Sequence, residues 1–349
     1  MSVARGGSRL PQTPPVTTSS RPEQTRTGAG AEVSTEAGRE GRYRELMERY
    51  LGPRVVEAFA DDDVTEVYVN GDGRLRLDTH SRGKVLAGVQ LRAARVEQFL
   101  HAVAAFHGDA LHGGTPTVQA ELPDATFGGA RLQGFLSPLA EASCFVIRKR
   151  ASRVFDLDSY VPTVMTAKQR TALRDAVQAH ENILVCGGTG SGKTTLCNAL
   201  LKEMTDLFPE ERIVVLEDTG ELQCAADDHL QLRTSDDVSL ADLVRHTLRC
   251  TPDRIVVGEV RDEAALHLLD AWATGHPGGC ATLHATTALG ALHRLGRLAQ
   301  RANVPPQHEL VAEAVGVVLV IQGGNQGRCV TELVRVDGQT KGTYDLSPV

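Results

Sequence analysis

Gly187-Gly188-Thr189-Gly190-Ser191-Gly192-Lys193-Thr194 follows directly on the apolar run Ile183-Leu184-Val185-Cys186. The pattern is G-x-x-x-x-G-K-[ST] between a strand and a helix, which is a P-loop. Glycines have no Cβ, so the backbone can curl tightly and aim its N–H groups inward at an anion. Lys193 is placed to meet the β- and γ-phosphates of a nucleoside triphosphate, and the Thr194 hydroxyl to ligate Mg²⁺. The helix that begins at Lys193 adds the positive end of its dipole. Every residue from Gly187 through Thr195 is therefore a candidate contact for ATP.

Outward from this loop, apolar strand-like runs recur at residues 213–216, 255–258, 280–284 and 315–321. Helical stretches fall at residues 193–203, 239–249, 262–273 and 307–314. Apolar strands alternating with helices predict a mostly parallel α/β sheet covered on both faces, with ligand chemistry at the carboxyl ends of the strands. Two of those ends carry acids. Ile213-Val214-Val215-Leu216 runs into Glu217-Asp218, with Glu221 beyond, and Ile255-Val256-Val257-Gly258 runs into Glu259, then Arg261-Asp262. Beside a P-loop, one acid is needed to hold Mg²⁺ through water and one to orient or deprotonate the attacking water. Thr194, Asp218 and Glu259 are the candidate metal residues. Which of Glu217 and Glu259 is the base stays open at this point.

His276, Cys280 and His284 have the spacing of three ligands on one helix face, but Pro277-Gly278-Gly279 forbids that helix. Read as a strand, Cys280, Thr282 and His284 share a face, with His284 at the carboxyl end as a candidate γ-phosphate sensor.

Residues 42–150 read as a smaller α+β domain. Arg44 to Phe59 has helical spacing interrupted by Gly52-Pro53, and Val64 to Val69 alternates as a half-buried strand. Asn70-Gly71-Asp72-Gly73 is a turn before Arg74-Leu75-Arg76-Leu77, which makes a hairpin. Leu91 to His107 is an amphipathic helix, and residues 131–136 and 143–147 are strands. Arg131 and Arg148 lie in this domain. A guanidinium reaching the γ-phosphate across a domain boundary would act as an arginine finger. Arg148-Lys149-Arg150 also reads as a solvated basic edge. Residues 151–162 form a linker, and residues 163–349 the nucleotide-binding domain. Residues 1–41 are rich in Ser, Thr, Pro, Gly, Arg and Glu with almost no large apolar side chain, so they are expected to be disordered.

At 349 residues the chain exceeds the usual single-core size. The net charge of -7 argues against broad electrostatic binding to nucleic acid. The seven cysteines form no C-x-x-C pair, so no zinc ribbon or redox motif is indicated. No apolar run is long enough for a transmembrane helix, which leaves a peripheral membrane role.

Taken in order, the P-loop, Leu216-Glu217-Asp218-Thr219-Gly220-Glu221-Leu222, Val257-Gly258-Glu259-Val260-Arg261-Asp262 and Thr274-Gly275-His276…Thr282-Leu283-His284-Ala285 resemble the traffic ATPases of type II and type IV secretion and type IV pili. There these segments are the Walker A, Asp box, Walker B and His box. Asp63 to Gly73, Arg131 to Gly134 and Phe145 to Arg150 are similar to the conjugal-transfer branch of type IV secretion. The resemblance covers about residues 43 to 345. It implies a RecA-like P-loop ATPase domain behind a PAS-like domain, with ATP and Mg²⁺ as ligands. It makes Glu217 the catalytic glutamate, with Asp218 and Glu221 in support, and Glu259 the Walker B acid. Lys193, Arg131, Arg148 and His284 take the other catalytic positions, and His276 and His284 make up the His box. It further implies a cytoplasmic homo-hexamer, peripheral to the inner membrane, that works with inner-membrane components of a secretion or conjugation channel. No sequence-specific binding of nucleic acid is expected. The chain lacks the four-cysteine insert of type II secretion relatives and the arginine-rich helix of pilus-retraction motors. The alternatives are a tight-adherence pilus-assembly ATPase, a nucleic-acid translocase and a non-hydrolysing nucleotide switch.

Overall fold

The computed structural model describes residues 41–79, 81–122, 127–150, 154–235, 237–324 and 327–349. Nearly all of the tail expected to be disordered, and residues 151–153 of the linker, lie outside the described residues.

Helical residues 41–51 (α1) and helix α2 (Pro53–Ala60) lead into β1 (Val64–Val69), β2 (Arg74–Thr79) and β3 (Gly83–Gln90). Helix α3 (Ala93–Phe106) follows, then β4 (Thr117–Glu121), β5 (Arg131–Phe135) and β6 (Cys144–Arg148). These strands form one antiparallel sheet in the order β3-β2-β1-β6-β5-β4. The hairpin expected over residues 64–77 is present, paired Val69 to Leu75 and Val67 to Leu77. Val96, Phe99, Leu100 and Val103 on one face of α3 pack with Val67, Leu75, Phe145 and Ile147 in a core of their own. The 3.6-residue spacing of those α3 positions is what turns that face toward the sheet.

The second sheet begins after helix α4 (Ala167–Gln178), which a Thr166–Gln169 capping box starts. Its elements are β7 (Ile183–Cys186), α5 (Lys193–Leu207), β8 (Ile213–Glu217), β9 (His229–Arg233), α6 (Leu240–Thr247) and β10 (Arg254–Val257). There follow α7 (Ala264–Ala273), β11 (Cys280–Leu283), α8 (Ala288–Ala299), α9 (His308–Ala314), β12 (Val317–Gly324), β13 (Gly327–Thr340) and β14 (Thr343–Pro348). The strand order is β14-β13-β12-β7-β11-β10-β8-β9. The run from β12 to β9 is parallel, and β13 and β14 add on antiparallel. Each of β7, β8, β10 and β11 is buried at every position, as their apolar runs require when both faces are covered. Leu196, Leu200 and Met204 of α5 cover one face, and Leu268, Leu292 and Val311 of the later helices cover the other. This is a mixed α/β P-loop fold.

The expected strand list misses β3, β4, β9, β13 and β14. They lie at or near the rims of their sheets, where at least one face is wet; β4, β9, β13 and β14 carry no continuous apolar run, and the run Val85-Leu86-Ala87 in β3 stays partly exposed. Helices α4 and α8 are further elements that the sequence pattern does not predict.

Candidate active site

Strands β7, β11, β10 and β8 are consecutive in the sheet. Their carboxyl ends therefore bring the P-loop, His284, Glu259 and Glu217 into one row, although Gly187 and His284 lie far apart in the chain. Together with Glu66, Arg131, Arg148, Lys149 and Arg150 of the first sheet they line a cleft of about 600 Å³. The cleft lies between the two sheets, at the place the open parallel sheet reserves for ligands.

In the P-loop, Gly190 and Gly192 have φ of 71° and 99°, a region that disfavours any residue with a Cβ. A Cβ on Gly187 would lie 2.3 Å from the Ile321 carbonyl oxygen and 2.4 Å from Ser191 Oγ. Lys193 Nζ donates to the carbonyls of Gly187 at 3.1 Å and Gly188 at 2.8 Å, and lies 3.4 Å from His284 Nδ1. Burial lowers its pKa, and Glu259 pulls the other way. Thr189, Thr194 and Thr195 line the cleft. Ser191 Oγ is buried without a hydrogen-bond partner. The curled glycine backbone, an ammonium at its centre and an orphaned hydroxyl suit an anion with several oxygens.

The acids divide the work. Glu217 is 2% exposed, and its Oε1 accepts the backbone N–H groups of Glu221 and Leu222, both at 2.8 Å. Its Oε2 accepts from Gln231 Nε2 at 2.8 Å and keeps one lone pair. Burial raises the Glu217 pKa against the pull of these hydrogen bonds. Glu259 is paired with Arg261 through Oε2 at 2.5 Å and with His284 Nε2 through Oε1 at 3.2 Å. Asp218 takes Thr234 Oγ1 at 3.3 Å and Arg261 Nη1 at 3.1 Å. The hydroxyl of Thr194 meets Glu221 Oε2, at 2.9 Å, and makes no such contact with Asp218 or Glu259. Its hydroxyl oxygen and the nearby carboxylates are the hard oxygen donors that Mg²⁺ takes. No cluster of three or more His, Cys, Asp or Glu with metal-holding geometry is present among the described residues.

Facing these groups, the first sheet presents a cross-strand row. Glu66 pairs with Arg148, Arg148 with Arg131, and Arg131 with Glu121, so the four side chains share one face. Arg148 is half exposed, with only a long 3.9 Å contact to Glu66. Arg131 Nη1 crosses to Glu221 Oε1 at 3.1 Å, while its Nη2 is buried without a partner. Burial lowers the pKa of this guanidinium, and Glu221 opposes that shift. Glu121 crosses to Arg233 at 3.1 Å and also holds Arg150 at 3.0 Å. Lys149 is tied to the carbonyls of Phe59 and Asp61. The basic run thus divides: Lys149 is held by two carbonyls and Arg150 by Glu121, while the contact of Arg148 among the described residues is a long one to Glu66.

Of the residues singled out from sequence, Lys193, Thr194, Glu217, Asp218, Glu259, His284, Arg131 and Arg148 line the cleft together. His276 does not: its Nδ1 lies 2.8 Å from the Pro252 carbonyl oxygen, at the amino end of the strands. The sequence assigns no role to Gln231, Arg261, Arg328, Glu66 or Glu121, and all of these but Gln231 and Glu121 line the cleft. Arg261 was within reach, two residues past Glu259. Gln231 and Glu121 carry no local signal.

The family described as type II/IV secretion system protein matches residues 129–328. The chain is 43% identical over 304 residues to a probable conjugal transfer protein TrbB of Sinorhizobium fredii (strain NBRC 101917 / NGR234), covering 87% of this chain and 92% of that protein. It is 44% identical over 295 residues to the conjugal transfer protein TrbB of Rhizobium radiobacter, covering 84% and 90% respectively. The X-ray structure of the Legionella pneumophila ATPase DotB shares the fold with a TM-score of 0.59 at 19% identity, over 83% of this chain and 80% of that one. The chain belongs to the type II/IV secretion system protein family, in its type IV secretion ATPase branch.

Proposed function

We propose that this ATPase of type IV secretion and conjugal transfer clamps ATP in the cleft between its two sheets and hydrolyses it to drive closure of one sheet on the other. The observation that supports this reading is the P-loop and the acid-tipped strands standing opposite the Arg148–Arg131 row across one cleft. Lys193 exchanges its carbonyl contacts for the β- and γ-phosphates. Ser191 Oγ and Arg131 Nη2 gain the partners they lack. Arg148, with only a long contact to Glu66, moves onto the γ-phosphate as charge develops there. Glu217 offers the free lone pair of Oε2 to the attacking water, and burial strengthens it as a base. Glu259 and Thr194 are the residues that would hold Mg²⁺, which would supply positive charge to the phosphate oxygens, and Asp218 would support them through Arg261. His284 is the group that senses the γ-phosphate beside Lys193.

The first sheet with α3 packed on it serves as the PAS-like domain, residues 42–150, and residues 163–349 as the RecA-like domain. Six copies form a ring in the cytoplasm, peripheral to the inner membrane, and pass the closing motion to channel components. The motif resemblance supports the ring, and no described helix is long and apolar enough to cross a membrane. Purified chain is expected to release phosphate from Mg·ATP, and Lys193→Ala to abolish release without lowering thermal stability. Equal release by both proteins refutes the site. Mass measurement under native conditions tests the ring.

A further inference from the structure

We infer that Glu221 is a positioning residue that couples the P-loop threonine, Thr194, to the arginine row of the first sheet through Arg131. The inference rests on the ATPase reading above and deepens it.

One carboxylate makes both contacts. Its Oε2 accepts the Thr194 hydroxyl hydrogen at 2.9 Å, and its Oε1 accepts Arg131 Nη1 at 3.1 Å. A hydroxyl has a single hydrogen, so Glu221 decides where that hydrogen goes and leaves the oxygen lone pairs for a cation. On the other side, a planar guanidinium held through Nη1 has a restrained range of orientations, which limits where the unpartnered Nη2 can point.

Glu221 is itself held on both flanks. Its N–H donates to Glu217 Oε1 at 2.8 Å, and its carbonyl accepts Asn198 Nδ2 at 3.2 Å. Asn198 is fully buried in α5, the helix that starts at Lys193. Asn198 Oδ1 also takes the Gln223 N–H at 2.8 Å, so Asn198 alone binds the loop after β8 to the phosphate helix at two points. The backbone that carries the carboxylate is therefore fixed, and only the Glu221 side-chain torsions remain to follow either partner. Separating the sheets breaks the arginine contact, and turning the threonine breaks the other. Thr194 and Arg131 share Glu221 as an intermediary, so the state of the phosphate pocket and the closure of the sheets become one equilibrium.

A double-mutant cycle reads this directly. The probe is a fluorescent, slowly hydrolysed ATP analogue, and the readout is its dissociation constant on the full chain with Mg²⁺. Thr194→Val and Arg131→Ala are made singly and together, first with Glu221 present and then in Glu221→Ala. With Glu221 present, the double variant is expected to depart from the product of the single effects by at least about threefold. In Glu221→Ala the single effects are expected to multiply. If Glu221→Ala does not fold, Glu221→Gln keeps the volume and supplies only one acceptor for the two donors. Coupling that persists without the carboxylate runs through the nucleotide and overturns the inference. Absence of coupling with Glu221 present overturns it too and leaves the ATPase reading standing. A wild-type chain that binds no analogue overturns both.

Discussion

Lys193 Nζ and His284 Nδ1 lie 3.4 Å apart, and His284 Nε2 lies 3.2 Å from Glu259 Oε1. Only one neutral tautomer serves both contacts: Nδ1 accepts from the ammonium and Nε2–H donates to the carboxylate. His284 thus links the P-loop lysine to Glu259.

Protonating this imidazole removes the acceptor that faces Lys193. Burial first, and then Lys193, hold the His284 pKa below the ordinary imidazole value, while Glu259 pulls upward. The sign follows from a depressed folded value. The stabilising contribution is present above the unfolded pKa and is lost as pH falls through the folded one. Turnover is expected to fall on the acid side of the ordinary imidazole value, as the imidazole charges. His284→Gln keeps a donor and an acceptor but cannot charge. Its rate at neutral pH is expected to drop by about tenfold, as for a lost charge-assisted hydrogen bond, and its acid limb to move or vanish. A pH profile of turnover for both proteins checks this, and superimposable acid limbs would remove His284 from the phosphate-sensing role.

Glu217 gives a prediction in stability rather than rate. Its two oxygens accept three hydrogen bonds, from the Glu221 and Leu222 backbones and from Gln231. Glu217→Gln must turn an NH₂ group against at least one of those donors. The variant is expected to lose about 1–3 kcal/mol of stability, the cost of a buried donor left unsatisfied, as well as turnover. Thermal or urea unfolding measures it. An unchanged midpoint would mean that the carboxylate does not hold the loop after β8.

Much of this site is legible in the sequence because its strands are buried on both faces. Ile183–Cys186, Ile213–Glu217 and Cys280–Leu283 read as continuous apolar runs, and the residue at or just past each run is chemical. The partners of those residues are not legible. Gln231 sits on the rim strand His229–Arg233, where no position is fully buried, so no pattern marks it. Glu121 and Arg233 are 112 residues apart and meet only because one ends β4 and the other ends β9. Arg131 and Arg148 are visible as single arginines. Their adjacency is a property of β5–β6 register, which depends on pairing across the whole first sheet. The same limit hides β13 and β14, whose alternating polar residues contain no apolar run.

Arg148 separates chemistry from binding. Half exposed, with only a 3.9 Å contact to Glu66, it contributes little to the fold, so its loss should be felt by the nucleotide alone. Arg148→Ala is expected to lower kcat by about 10³-fold, the lower range for an arginine finger, while the dissociation constant for ATP changes by less than about threefold. Single-turnover rates and equilibrium binding distinguish the two effects. Parallel losses in both would make Arg148 a ground-state phosphate clamp.

Neighbouring glycines of one loop should respond differently to the same added methyl group. At Gly187 a Cβ meets the Ile321 carbonyl oxygen at 2.3 Å and Ser191 Oγ at 2.4 Å, and the carbonyl belongs to β12 and cannot retreat without shifting that strand. At Gly188 nothing lies within 4 Å of the added atom. Gly188 is also absent from the glycines with positive φ, so no backbone strain is added. Gly187→Ala is therefore expected to destabilise the chain by about 1–3 kcal/mol, as overpacking does, and to weaken nucleotide binding because Ser191 and the loop backbone are displaced together. Gly188→Ala is expected to unfold within about 0.5 kcal/mol of wild type. Denaturant unfolding of the pair, without nucleotide, measures the difference. If both variants unfold alike, the approach of β12 to the P-loop does not set the shape of the phosphate cradle.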